Sequence, residues 1–395
     1  YLVTDQSVLD LGDSRLGRHD AVRPTKPTPL TFNVTNLNAW QEGDHLEFFS
    51  TRSNAWYFEM ERFGSNPPAV GATSHSGLTI TTGPSTSYGT LNLIDGSKGD
   101  RGILAQLTSR TSDTGVPYTA MSRVVEFAPF TQVDGTEQVV SGAMVEVATA
   151  KSIALDLKGS QYNAYADATG PNLTWSELDV AVQGLAGGNE RGMFASSADF
   201  VHLTPSVEAD LRTGTMTYGT PLNGTWGVSV LTRASFESEY FLPGATGNAL
   251  YLYGSMETID PVNSSPASLT ITPRLSPVRN PKLNGTNLFS AVSGVGVSPV
   301  ISWEPPALGT PNLYQVIVRR LSIDSRGNTR SAQVGSVYTR DTQVRMPADL
   351  MVAGQSYVLS IAAIQNTAST SYQPYRDTLP SAYTRVNSAI VQMAP

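Results

Sequence analysis

Val300-Ile301-Ser302-Trp303-Glu304-Pro305-Pro306 sets Ile301 and Trp303 on one face of an extended segment, and two prolines then end it. A period of two residues separates the faces of a β-strand, so this stretch reads as a strand with one buried side. Tyr314-Gln315-Val316-Ile317-Val318-Arg319 follows after a short loop, and Val358-Leu359-Ser360-Ile361-Ala362-Ala363 comes later. The same alternation runs upstream in Leu30-Thr31-Phe32-Asn33-Val34, Ile153-Ala154-Leu155-Asp156-Leu157 and Leu178-Asp179-Val180-Ala181-Val182. Turn pairs punctuate the runs: Asp95-Gly96, Asp134-Gly135, Asn223-Gly224, Pro243-Gly244 and Asn284-Gly285. No window sustains a helical period beyond two turns. Short strands with Gly, Pro and Asn between them define an all-β chain of sandwiches or barrels.

The C-terminal stretch carries a resemblance. Trp303 stands on a second strand and Tyr314 on a third; Leu350-Met351-Val352-Ala353-Gly354-Gln355-Ser356-Tyr357 forms a corner before a sixth. This pattern resembles a fibronectin type III domain over about residues 278–395, under a third of the chain. The resemblance implies an immunoglobulin-like sandwich used as a spacer or binding scaffold, with Tyr357 returning its hydroxyl to the backbone across the corner. A buried Trp303 supplies the anchor between the sheets. The family's Leu lies three residues before the Gly; here Met351 holds that place and Leu350 precedes it. The Arg-Gly-Asp tripeptide of the family's integrin ligands is absent.

Proline-rich joints divide the chain. Pro24-Thr25-Lys26-Pro27-Thr28-Pro29 closes an extended polar leader over residues 1–29. A second joint runs from Asp260-Pro261 through Pro266, Pro273, Pro277 and Pro281. The expected organisation is therefore tandem β-sandwiches. Residues 30–275 form one large sandwich, two smaller ones split near 150, or a barrel, and 276–395 form the type III-like domain. No internal repeat is legible: Leu30–Met60 and Val201–Ser238 share only strand character.

At 395 residues, and about 150 residues per domain, the chain holds two to three domains. Charged residues make up 15% against the roughly 25% of ordinary soluble proteins, which argues against a coiled coil or a charge-driven disordered chain. The net charge is −7 and no Lys/Arg cluster occurs, so nucleic acid is not an expected partner. Five of the 26 basic residues are lysines, and the arginine excess reads as the base bias of a GC-rich, bacterial genome. Zero cysteine removes disulfides, thiolate metal sites and cysteine nucleophiles. No apolar run approaches the roughly 18–20 residues of a membrane helix. The chain starts at Tyr1, consistent with a removed signal peptide. Five N-x-S/T sequons stand at Asn33, Asn172, Asn223, Asn263 and Asn284.

Catalytic motifs are sparse. Four histidines, His19, His45, His75 and His202, are scattered without metal-ligand spacing, and no G-x-S-x-G elbow occurs. Glu59 with Glu61, and Glu237 with Glu239, place carboxylates two apart on predicted strands, which reads as a solvated or guarded face. Asp95-Gly96-Ser97-Lys98-Gly99-Asp100 reads as a turn because Lys98 opposes a cation. No catalytic residue, cofactor or metal is assigned.

Contact candidates are aromatic. Trp40, Trp56, Tyr57 and Phe58 cluster with Phe48 and Phe49, beside Asn36, Asn38, Gln41 and Asn54. Trp40 and Trp56 are therefore read as contacts of a protein or glycan partner, together with Tyr372, Tyr375 and Arg376 in the long Gln365–Pro380 loop. Phe236–Tyr253, with Tyr240, Phe241, Tyr251 and Tyr253, is a further aromatic stretch. The expected function is a non-catalytic extracellular or cell-surface protein in adhesion, matrix or surface structure. One alternative is a carbohydrate-binding or glycoside-hydrolysing protein with a type III spacer. Another is a self-assembling filament or coat subunit whose leader donates a strand.

Overall fold

The computed structural model describes residues 1, 3, 17–185, 197–222, 226–366 and 378–395. It is all-β and built of sandwiches. In the division we propose, the first comprises β1 (Thr28–Thr35), β2 (His45–Ser50), β3 (Ala55–Tyr57), β4 (Ser74–Thr82), β5 (Ile103–Thr111), β6 (Pro117–Glu126), β7 (Gln138–Ala143) and β8 (Val145–Glu146). Residues β9 (Lys151–Lys158), β10 (Leu173–Leu185), β11 (Val201–Leu203), β12 (Asp210–Tyr218), β13 (Gly227–Tyr240), β14 (Leu250–Val262) and β15 (Ala267–Ile271) make the second. The third holds β16 (Arg279–Leu283), β17 (Thr286–Asn287), β18 (Val292–Val295), β19 (Val300–Glu304), β20 (Leu313–Ile323), β21 (Thr329–Thr339), β22 (Gln343–Arg345), β23 (Ser356–Gln365), β24 (Ser381–Asn387) and β25 (Val391–Met393).

Each sandwich has one small sheet: β4-β1-β7, β12-β9-β15 and β17-β16-β19-β22. Their larger sheets do not close separately. They join edge to edge into one sheet of 15 strands, through β6 with β11 and β14 with β24. The register shows that the second and third cores lie on the same side of this sheet. Met256 of the second core pairs across the ladder with Thr384, whose neighbours Ala382 and Val386 belong to the third core.

The first two sandwiches repeat one topology strand for strand. In each, the first strand lies between an antiparallel neighbour and a parallel last strand: β4-β1-β7 matches β12-β9-β15. The larger halves match as well, β3-β2-β5-β6 with β11-β10-β13-β14. The repeat is one of topology, which the comparison of sequence segments did not reach. That comparison set Leu30–Met60 against Val201–Ser238, which are not equivalent strands, and a sandwich conserves only face alternation at most positions.

Core residues follow the alternation. Leu30, Phe32, Val34, Phe48 and Leu104 fill the first core; Leu155, Val180, Val182, Val230 and Phe236 fill the second. In the third, Trp303 is 5% exposed and packs edge-on against Tyr314, with ring centroids 5.2 Å apart. Tyr357 is fully buried and its hydroxyl accepts a hydrogen bond from the Val352 amide at 2.8 Å, closing the corner whose turn uses Gly354 at φ 71°. Leu350 and Met351 are both buried, so the corner seats two apolar side chains.

The leader is tied down where it is described. Arg18 makes two bonds to Asp100, at 3.0 and 3.1 Å, and also holds Asp20, which pairs with Lys98. Tyr1 and Val3 add main-chain bonds to the edge strand β21 through Ser336 and Tyr338. Asp95 accepts from the Ser97 amide at 3.1 Å, so the Asp95–Asp100 segment is a turn. No helix among the described residues is long and apolar enough to cross a membrane.

Candidate functional site

Extending the Leu178, Val180, Val182 alternation backwards puts Trp175, Glu177 and Asp179 on the outer face of β10. On β13 the outer positions are Arg233, Glu237 and Glu239, and on β14 they are Tyr251, Tyr253 and Glu257. The register aligns Trp175, Glu237 and Tyr253 across three strands. Trp175 is 47% exposed and meets Tyr253 edge-on with centroids 6.3 Å apart. Glu237 fixes this row by accepting from Tyr253 at 2.7 Å and from Thr174 at 2.8 Å, while Tyr251 donates to Glu239 at 2.9 Å.

Beside Trp175 a cleft of about 450 Å3 opens between the first two sandwiches. Trp175, Ser176 and Glu177 of β10 form one bank, joined by the segment 204–208 that follows β11. Glu59 and Arg62 form the other. Glu59 stands at φ 41°, ending β3 and opening the short helix α1 (Met60–Phe63). The pair Glu59 and Glu61 therefore does not share a strand face as the spacing suggested. Glu59 accepts from Arg62 at 3.2 Å, whereas Glu61 turns back to bind His45 Nδ1 at 2.8 Å and the Leu46 amide at 2.9 Å. Glu237 and Glu239 do share an outer face.

A polar cluster at the seam between the two sandwiches lies within electrostatic reach of Glu177. Buried Glu47 accepts from Trp56 Nε1 at 2.8 Å and from the Asp199 amide at 3.3 Å. Buried Asp199 accepts from the Gln183 side chain at 2.7 Å. His202 Nε2 lies 2.7 Å from Asp179 Oδ1. Burial pushes the Glu47 carboxyl well above the usual range, and the charge of Asp199 pushes it further. Burial likewise raises Asp199 to about 6, against the opposing pull of His202. For His202, burial works downward, but the bond to Asp179 and the charges of Asp199, Asp179 and Glu47 prevail and lift it to about 9. Glu177 is raised by burial and then by the charges of Asp179 and Glu59. Perturbed groups beside a cleft at a domain seam mark a functional candidate. Glu47 and Asp199 are 4% and 5% exposed, so as seated they hold the seam and do not face the cleft opening.

The aromatic candidates divide. Trp40 is 5% exposed and packed in the first core, which withdraws its ring from any partner. Trp56 is half-buried, bonded to Glu47 and 5.7 Å from Phe58, which is 43% exposed. Phe48 and Phe49 are both buried; Phe49 joins the second core instead of facing solvent. Tyr372, Tyr375 and Arg376 lie outside the described residues. Trp175 was missed, although the alternation read at 178–182 already places it on the polar face. Among the described residues no group of three or more His, Asp or Glu side chains is gathered to hold a metal.

No family model matches the chain, and no curated protein matches it. Among solved structures it aligns with the chicken CNTN1 FN1-FN3 domains at 10% identity, over 94% of this chain and 99% of that one, with a TM-score of 0.15. It also aligns with a putative cell adhesion protein from Bacteroides eggerthii DSM 20697 at 11% identity, over 94% and 99% of the two chains, with a TM-score of 0.16. Likenesses this distant leave the functional argument to the chain's own geometry.

Proposed function

We propose that this chain is a non-catalytic extracellular or cell-surface protein, a secreted bacterial scaffold that holds a contact face rigidly in adhesion or surface structure. One observation carries the reading: a single 15-stranded sheet runs through all the sandwiches. Main-chain ladders replace the flexible linkers that usually join domains, so a force or a binding event at one end is carried to the other. The domains we assign are a repeated pair, divided near 150, and a C-terminal fibronectin type III-like sandwich from about 276. The type III assignment is supported by the Trp303–Tyr314 contact, the Tyr357 corner and the strand orders β16-β19-β22 and β21-β20-β23-β24.

Surface exposure is the test. Protease added to intact cells of the source organism should degrade the protein, as followed by an antibody to the C-terminal sandwich. Complete protection on intact cells, with degradation only after lysis, would contradict the reading.

A further inference from the structure

We infer that the cleft between the first two sandwiches binds a neutral oligosaccharide, with Trp175 as its stacking platform. The inference names the partner class for the surface role proposed above and rests on that role. Three features of the cleft point to sugar. Trp175 offers an open ring beside the cleft, and Tyr253, its hydroxyl held by Glu237, meets that ring edge-on without covering it. A pyranose presents axial C–H groups on one face, and an exposed indole is the side chain best suited to receive them. Second, Glu177 is half-buried and no donor among the described residues hydrogen-bonds its carboxylate. A partly desolvated acceptor costs free energy until a donor reaches it, and sugar hydroxyls are such donors. Third, other groups supply the complement: Arg62 on the opposite bank is a donor, and Thr204 and Ser206 on the Trp175 bank add hydroxyls of either sense.

Size and charge narrow the class. A volume of about 450 Å3 lies within the roughly 300–1,000 Å3 of small-ligand sites. Beyond Arg62, whose guanidinium covers the Phe63 ring at 5.3 Å, Phe58 and Phe63 pack on each other and on Tyr88, which leaves Trp175 as the platform at the cleft. Glu59, Glu177 and Glu208 outnumber Arg62 at the cleft, which disfavours uronates and sulfated glycans.

The test is calorimetric titration of the full chain with cello-, xylo-, malto- and chito-oligosaccharides, an oligogalacturonate and a lysine-rich peptide. At least one neutral oligosaccharide should bind, and the oligogalacturonate should not. Trp175→Ala should weaken that binding about tenfold or more, and Glu177→Gln should weaken it less. Both sites are at the surface, so circular dichroism should show an unchanged fold, and Val139→Ala, remote on β7, should bind as the parent does. Binding that survives Trp175→Ala would overturn the assignment of the cleft. Silence to every neutral sugar, or capture of the lysine-rich peptide alone, would overturn the ligand class. Neither result touches the surface-exposure experiment, which decides the broader reading separately.

Discussion

The two places where the sandwiches join share apolar packing and differ in ladder length and in the titratable groups they bury. Between the first and second, the ladder is two residue pairs long, Val201 with Ala120 and His202 with Thr119, and the seam combines Phe49, Ala105, Leu107, Tyr118 and Met121, packed into the second core, with the polar groups Glu47, Asp199, His202 and Asp179. Between the second and third, β14 and β24 pair over five residues. There the tip of the β13–β14 hairpin also docks on the β20–β21 turn. Tyr240 packs with Leu321 and Val358 and donates to the Ser388 carbonyl at 2.9 Å. Backbone bonds from Thr246 and Gly247 to Gly327, and from Thr329 to Asn248, complete that dock. The titratable groups buried at the first joint make it respond to pH, whereas the second is held by a longer ladder and by the apolar dock of Tyr240, Leu321 and Val358. The first joint is therefore the more pH-sensitive of the two.

The largest expected effect breaks the apolar side of this contrast. Tyr240→Ala should cost about 3–4 kcal/mol, seen as faster amide exchange in β20 and the β13–β14 tip, by the same amount at pH 6 and pH 9. Next comes the polar seam. The folded pKa of His202, about 9, lies above its unfolded value of 6.5. Its stabilisation is thus full below pH 6.5 and lost as pH rises through 9. Asp199, raised to about 6, acts with the same sign: folding binds its proton, and stability falls as pH rises from 3.8 through 6. Raising the pH from 6.5 to 9 should weaken protection of β11 and the 197–200 segment by on the order of 2 kcal/mol, with the β14–β24 ladder unmoved. His202→Gln should flatten that window; a slope that persists would move the cause elsewhere. Tyr240→Phe leaves the ring and orphans the Ser388 carbonyl, so a loss of about 1 kcal/mol is expected by denaturant titration. Smallest is Glu47→Gln, which keeps an acceptor for Trp56. Its stability near neutral pH should stay within about 1 kcal/mol of the parent.

Legibility in the sequence followed how local each signal is. The third sandwich was readable because Trp303, Gly354 and Tyr357 are tied to one corner and one core, within 60 residues. Period-two alternation disclosed the strands; it also held the outward face of Trp175, which went unread, since the neighbouring Leu178, Val180 and Val182 all point inward. It could not disclose that the sheets fuse. Ala120 meets Val201 and Thr384 meets Met256 across separations of about 80 and 130 residues, and nothing at either position differs from an ordinary strand. Trp40 and Trp175 show the limit of residue type alone: the same side chain is core in one and platform in the other, decided by the parity of its strand and by what covers it.

The absence of native cysteine makes the central claim directly measurable, because introduced pairs carry the only labels. Spin labels at Val139→Cys with Ser268→Cys span the first joint, and Ser268→Cys with Val334→Cys span the second. Pulsed dipolar distances should be narrow for both pairs at pH 6. At pH 9 the first distribution should broaden while the second holds. A broad distribution across the second joint at either pH would mean sandwiches swinging on linkers, and would contradict the continuous sheet.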